Sequence, residues 1–256
     1  MSDLHVETAG HGAPLVLLHG WAMHGGVFGN LVERLRDRYT LHVVDLPGHG
    51  RSRDSKVPLQ PDAVVAALLS QLPDAPWCGW SLGGLFALHA AIERPNDATA
   101  AALICASARF VRSDDWRYGV SPEIFRDFAT GLRSDYRGTL DRFVALEAFG
   151  SDHAKDEVRA LRNDLFTRGE PSAYVLADGL DLLKTADLRA AMPRLQSPSL
   201  WLAGRRDRLV DARAMRDSAA LAAGPTQVHV VEHAGHAPFL THADGVAAHL
   251  IEFAGQ

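Results

Sequence analysis

Six short apolar runs recur along this chain, with helical patterns between them. They are Leu15-Val16-Leu17-Leu18, Leu41-His42-Val43-Val44-Asp45, Ala75-Pro76-Trp77-Cys78, Ala102-Leu103-Ile104-Cys105-Ala106, Ser199-Leu200-Trp201-Leu202-Ala203 and Val228-His229-Val230-Val231. A strand that alternates apolar and polar residues leaves one face in water; a continuous apolar run needs cover on both. Helices between the runs supply that cover. The expected fold class is α/β, a mostly parallel central sheet with helices on both faces. Ligands bind beyond the carboxyl ends of the strands in such sheets. The residues just after each run are therefore the candidates for chemistry.

One spacing breaks the rhythm. The stretch from Ala106 to Ser199 far exceeds a simple crossover, which needs about a dozen residues or somewhat more. It holds helical runs such as Glu123-Ile124-Phe125-Arg126-Asp127-Phe128 and Thr139-Leu140-Asp141-Arg142-Phe143-Val144-Ala145-Leu146, too rich in Phe and Leu to stay solvated. The reading is a helical cap inserted at residues 113–185, with 1–112 and 186–256 forming the core. A length of 256 residues, 47% hydrophobic, suits one domain carrying such an insertion. The net charge of −5 gives no reason to expect nucleic acid or an anionic membrane as partner. No apolar stretch approaches the roughly 20 residues of a membrane span, and the first residues do not read as a secretory signal. Cys78 and Cys105 each sit in an apolar run, which suggests buried thiols in a reducing cytoplasm rather than a disulfide.

Gly79-Trp80-Ser81-Leu82-Gly83 fits G-x-S-x-G, the sharp strand-to-helix bend that presents a serine. A serine hydroxyl is a poor nucleophile near neutral pH. It needs a base, and the base needs a third group to orient it. Among 13 histidines the best base is His236, in a Gly-His-Ala-Pro loop after the last run. The best orienter is Asp207, just past the fifth run. The order Ser81, Asp207, His236 belongs to one architecture of serine hydrolases. Asp211 is expected to cap the next helix, Asp45 to hydrogen-bond within its Pro- and Gly-containing turn, and His233 to pack beside the strand end. His229, His233 and His236 lack carboxylates placed to complete a metal site, so no metal is expected. Attack on an ester builds charge on the carbonyl oxygen, which two N–H donors normally stabilise. The amide of Leu82 is one candidate. The other is the amide of Trp21, in His19-Gly20-Trp21-Ala22-Met23, whose indole is also placed to wall the pocket or to serve as core. His19 is expected to be a structural hydrogen-bonding residue of that turn.

In the insertion, Phe125, Phe128, Phe143, Leu146 and Phe149 are available to line an acyl tunnel or to hold the cap on the core, and most are expected to do the second. Arg133, Arg137, Arg142, Lys155, Arg159 and Arg162 recur at helical spacing, which would suit an acidic protein partner. Asp135, Asp141, Asp152, Asp156 and Glu157 are interleaved, and composition by itself favours a solvated face of mixed charge.

His19-Gly20-Trp21, Asp45-Leu46-Pro47-Gly48-His49-Gly50-Arg51-Ser52, Gly79-Trp80-Ser81-Leu82-Gly83-Gly84 and Gly235-His236-Ala237-Pro238-Phe239 together resemble the α/β-hydrolase fold. More narrowly, the elbow and the stretches 139–150 and 180–189 resemble the carboxylesterases that act on pimeloyl-[acyl-carrier protein] methyl ester in biotin synthesis. The likeness covers nearly the whole chain. It implies a cytoplasmic, cofactor-free, monomeric esterase. Carried over by position, Ser81, Asp207 and His236 are the triad, with Trp21 and Leu82 at the oxyanion. Phe143, Val144, Ala145, Leu146 and Glu147 belong to the substrate site, and Arg142, Lys155 and Arg159 face the acidic carrier protein. Gly138 stands where that family can place another arginine, with Arg137 beside it. Other readings stay open: a general short-chain carboxylesterase, an enol-lactonase or carbon–carbon bond hydrolase, and a non-catalytic receptor on a hydrolase scaffold. Dehalogenase or epoxide-hydrolase chemistry needs a carboxylate where Ser81 stands.

Overall fold

The computed structural model describes residues 4–255. One sheet holds β1 (Val6–Gly10), β2 (Ala13–Leu18), β3 (Tyr39–Val44), β4 (Ala75–Trp80), β5 (Ala98–Ile104), β6 (Ser199–Gly204) and β7 (Thr226–Val231), in the order β1-β3-β2-β4-β5-β6-β7. Each of the six apolar runs is a strand, and these strands pair in parallel. β1 is not legible in the sequence. It lies antiparallel to β3 at the sheet edge, half exposed, so it needs no continuous apolar run. The interior strands are covered on both faces: Leu17, Trp77 and Trp201 have no exposed surface.

Among the described residues, ten α-helices connect or follow the strands: α1 (Gly29–Leu35), α2 (Pro61–Leu69), α3 (Leu82–Glu93), α4 (Pro122–Ser134), α5 (Tyr136–Glu147), α6 (Ala154–Leu165), α7 (Ala173–Thr185), α8 (Ala212–Ala219), α9 (Pro238–Thr241) and α10 (Ala243–Ala254). α1 packs on α10, and α2 on α3. α3 is buried along nearly its whole length, which accounts for its run of Gly, Ala, Leu and Phe.

The strand order places the site. After β2 the chain steps outward to β3, then returns past β2 to β4 on the other side. The crevice at such a switch point is where ligands bind in open α/β sheets. Leu18 of β2 lies opposite Gly79 of β4, so the loops after these two strands emerge side by side.

α4, α5, α6 and α7 all stand between β5 and β6 and cover these carboxyl ends. Polar contacts tie the layer down as well as apolar ones. Arg168, between α6 and α7, lies 3.2 Å from the carboxylate of Asp45, which is buried and also accepts the N–H groups of Gly25 and Arg51. The Nε2–H of His24 donates to the carbonyl of Asp164 at 2.7 Å, while its Nδ1 accepts from Gly26.

Candidate active site

Ser81 sits at the end of β4 and starts α3, with φ 54° and ψ −118°. A non-glycine residue held in so sparse a region costs of order 1–3 kcal/mol. The surroundings enforce it. A side chain on Gly79 would overlap the backbone of Gly83, and one on Gly83 would overlap the backbone of Leu18 and His19. Strand, bend and helix therefore approach more closely than alanine at either position permits.

His236 and Asp207 arrive from the loops after β7 and β6. The His236 Nδ1 lies 2.7 Å from Asp207 Oδ2, and its Nε2 2.9 Å from Ser81 Oγ. An ionised carboxylate only accepts, so Nδ1 carries the proton and Nε2 is free to accept from the serine hydroxyl. Asp207 is oriented in turn by the N–H groups of Leu209 and Val210, which donate to Oδ1 at 2.8 and 3.0 Å. The His236 backbone is held at both ends: its N–H donates to the Glu147 carbonyl, and its carbonyl accepts the Trp80 indole N–H at 2.8 Å. All three side chains are buried, which shields the hydrogen bonds from competing water.

The loop after β2 lies against the serine. A Cβ on Gly20 would stand 3.2 Å from that of Ser81. No hydrogen bond among the described residues engages the N–H of Trp21 or of Leu82, which leaves both amides free to meet an oxyanion. The Trp21 indole is fully buried, with its ring 4.5 Å from Phe143 and 6.4 Å from Phe128. His19 donates from Nδ1 to the Gly20 carbonyl at 2.8 Å and accepts the Leu46 N–H on Nε2 at 2.9 Å. Burial and then His49 push its pKa down to about 3, so it serves as a neutral brace for the loop.

Several sequence expectations need correction. His233 does not pack at the strand end; it is exposed, with φ 66°, and its Nδ1 lies 2.8 Å from Asp152. Ala145 faces solvent while Phe143, Val144 and Glu147 are buried. Successive helical residues turn by about 100°, so five consecutive positions cannot share one face. Phe149 is 59% exposed beside Arg208 and lines nothing internal. His229 stacks on His249, so the three histidines after β6 have three separate partners. Asp211, by contrast, does what its position predicts: it accepts the Arg213 N–H at 2.8 Å and caps α8.

Glu147 holds more than its sequence position suggested. It is 1% exposed, and neither carboxyl oxygen has a hydrogen-bond partner among the described residues. Burial, then the charges of Asp207 and Glu157, raise its pKa well above the ordinary 4.5. The folded chain therefore keeps a proton that the unfolded chain releases, and stability falls as pH rises from 4.5 toward the folded-state value. Glu147→Gln keeps the shape and cannot ionise. It is expected to melt above wild type at about pH 8 and level with it below about pH 4. A Tm difference that is the same at both pH values would remove the titration account.

The basic residues stand on adjacent helices. Arg142 of α5 donates to Asp135 at 3.3 Å and to Thr139 Oγ1 at 2.6 Å. Arg159 of α6 pairs with Asp156 at 2.9 Å, and Arg162 bridges to Asp141 of α5 at 2.9 Å. Lys155, Arg159 and Arg162 border a shallow depression along α6. Gly138 donates its N–H to Asp135 at 3.0 Å, and a side chain there would displace that carboxylate.

Residues 13–243 match the family described as alpha/beta hydrolase fold, and the sheet order and the Ser81–His236–Asp207 hydrogen bonds agree with it: the chain is an α/β hydrolase. The pimeloyl-[acyl-carrier protein] methyl ester esterase of Stenotrophomonas maltophilia (strain R551-3) is 54% identical over 250 residues, covering 98% of this chain and 96% of that protein. Its counterpart from Xanthomonas campestris pv. campestris (strain B100) is 55% identical over 250 residues, 98% of each. The chain belongs to the family of pimeloyl-[acyl-carrier protein] methyl ester esterases. Among solved structures, an esterase from Exiguobacterium antarcticum superposes with a TM-score of 0.86 at 21% identity, over 99% of this chain and 96% of that one. The enol-lactonase from Burkholderia xenovorans LB400 gives 0.84 at 22%, with the same coverage. At such identity the likeness is one of fold.

Proposed function

We infer that this chain is a serine carboxylesterase that hydrolyses the methyl ester of pimeloyl-[acyl-carrier protein], releasing methanol and a free carboxylate for biotin synthesis. The buried hydrogen-bond chain from Asp207 through His236 to Ser81 carries the chemistry. Relatives that share more than half of their residues with it point to the ester.

His236 takes the proton of Ser81 as Oγ attacks the ester carbonyl. The N–H groups of Trp21 and Leu82 hold the oxyanion, helped by the N-terminus of α3. The imidazolium, steadied by Asp207, gives its proton to the departing methanol. Water then attacks the acyl-enzyme with His236 as base, and collapse returns the proton to Ser81 and frees the acid. Residues 113–185 act as the cap, with the Phe143 ring edge-on to the Trp21 indole.

Arg142 and Arg159 receive the acidic carrier by exchanging Asp135 and Asp156 for acids of the partner, with Lys155 beside Arg159 on the same face. Arg142→Glu with Arg159→Glu is expected to lower kcat/KM for the carrier-bound ester by about tenfold or more, and to leave a small ester unaffected. Equal losses on both substrates would count against docking here. The same reading makes the enzyme a cofactor-free cytoplasmic monomer; no helix among the described residues is long and apolar enough to cross a membrane. The direct test is growth without biotin of an auxotroph that lacks its own esterase. The wild-type chain should restore growth and Ser81→Ala should not; no growth with wild type would sink the assignment.

A further inference from the structure

Trp21 is where the helices over the sheet meet the loop that lies against Ser81. Its indole N–H donates to the carbonyl of Leu176 in α7 at 2.8 Å, a buried bond between groups 155 residues apart. Gly179, three residues further along α7, brings bare backbone to the same ring. A Cβ there would stand 2.7 Å from Trp21 Cδ1, 3.1 Å from Nε1 and 3.4 Å from Leu59 Cδ2. Phe143 of α5 meets the indole edge-on, with ring centres 4.5 Å apart. The insertion therefore holds the indole from two helices, and the indole has no exposed surface.

The loop on the core side has little slack. Ala22 has φ 65°, a left-handed conformation that a residue with a side chain seldom adopts. Gly20 lies against Trp80 and Ser81, and its carbonyl is held by His19 Nδ1–H at 2.8 Å. Phe143, the Leu176 carbonyl and Gly179 close the space into which the indole could swing about χ1 and χ2, so a push on the ring is passed to the Trp21 backbone, where neither neighbour has room to absorb it. Ser81 itself is only 4% exposed.

We propose that α7 sets the oxyanion hole: the Leu176 carbonyl and Gly179 are positioning groups that act through Trp21, aligning its amide only when the helical layer is seated on the core. An ester reaches Ser81 when the layer lifts. Lifting takes the acceptor away from the indole and lets the loop relax; closure over bound ester restores the bond and the alignment together. The hole is then complete only while water is excluded, which couples closure to chemistry.

The inference rests on the reading that the Trp21 amide holds the oxyanion. The test uses the whole chain and a small p-nitrophenyl ester. Gly179→Ala puts a methyl against the ring and is expected to lower kcat about tenfold or more, with KM changed by no more than about twofold. Trp21→Phe keeps an aromatic ring without the N–H donor and is expected to lower kcat similarly. The double variant should be slower than Trp21→Phe by clearly less than the product of the two single losses, because the bond to Leu176 that the methyl disturbs is already gone, although Cδ1 of the phenyl ring still meets that methyl; that non-additivity is the signature of a shared contact. Any of these results would overturn the proposal: wild-type kcat in both single variants, losses that multiply in the double variant, or losses that fall on KM instead of kcat. Tm measured alongside keeps it open to refutation, because a kcat loss that merely follows unfolding also counts against it. Ser81→Ala separates the two levels. If it still turns over, the site reading fails; if it is dead while Gly179→Ala and Trp21→Phe keep full kcat, only the role of α7 fails.

Discussion

Ser81→Ala is expected to abolish ester hydrolysis, by about 10⁴-fold or more, while the fold survives. The covalent route needs Oγ, and no other hydroxyl stands within reach of His236 Nε2 in the described hydrogen-bond network. What remains would come from the oxyanion donors and from binding alone. The fold should hold because Oγ makes one hydrogen bond among the described residues, to His236, and alanine tolerates the bend at φ 54° about as well as serine does. Circular dichroism and Tm should stay close to wild type, and labelling by a serine-directed phosphonate should vanish. The labelling also addresses the receptor alternative, since a scaffold that only binds need not react with the probe. Turnover within about tenfold of wild type would remove Ser81 as nucleophile.

Asp207→Asn is expected to cost about 10³- to 10⁴-fold in kcat with little change in KM. The asparagine oxygen can still accept from Leu209 and Val210, as Oδ1 does now. Its NH₂ group then faces His236 Nδ1 and donates to it. That forces the proton onto Nε2, which can no longer accept from Ser81. The geometry survives and the proton is on the wrong nitrogen. A loss below about tenfold would mean that Asp207 is a packing residue with an incidental hydrogen bond. Burst kinetics on a chromogenic ester, read with Tm, distinguish the two.

The interior strands were legible because continuous Val, Leu, Ile and Trp runs record burial on both faces within a few residues of chain; β7, at the far edge of the sheet, carries such a run although its residues are only partly buried. The edge strand β1 was not legible, because Glu7 and Thr8 face water. The elbow was legible for a similar reason: backbone crowding between Gly79 and Gly83 is a short-range event that leaves its mark in composition. His233 was misread because adjacency to a strand end does not say whether the next turn faces inward or toward Asp152. The substrate segment was legible only as a segment. Which of Phe143, Val144, Ala145, Leu146 and Glu147 turns inward depends on how α5 is rotated, and packing sets that.

By itself the sequence determined the α/β class, the serine bend and the order of Ser81, Asp207 and His236, since these follow from local burial, local sterics and the rule that chemistry gathers after parallel strands. Only the tertiary structure decided that the Glu147 carbonyl would hold His236 while its carboxyl stays buried without a partner among the described residues, that Arg168 would anchor the helical layer to Asp45, and that Trp21 would find its acceptor in Leu176. Each of these joins groups about 90 to 155 residues apart. Their energies come from desolvation and exact placement across the fold, and neither quantity is written in the residues next door.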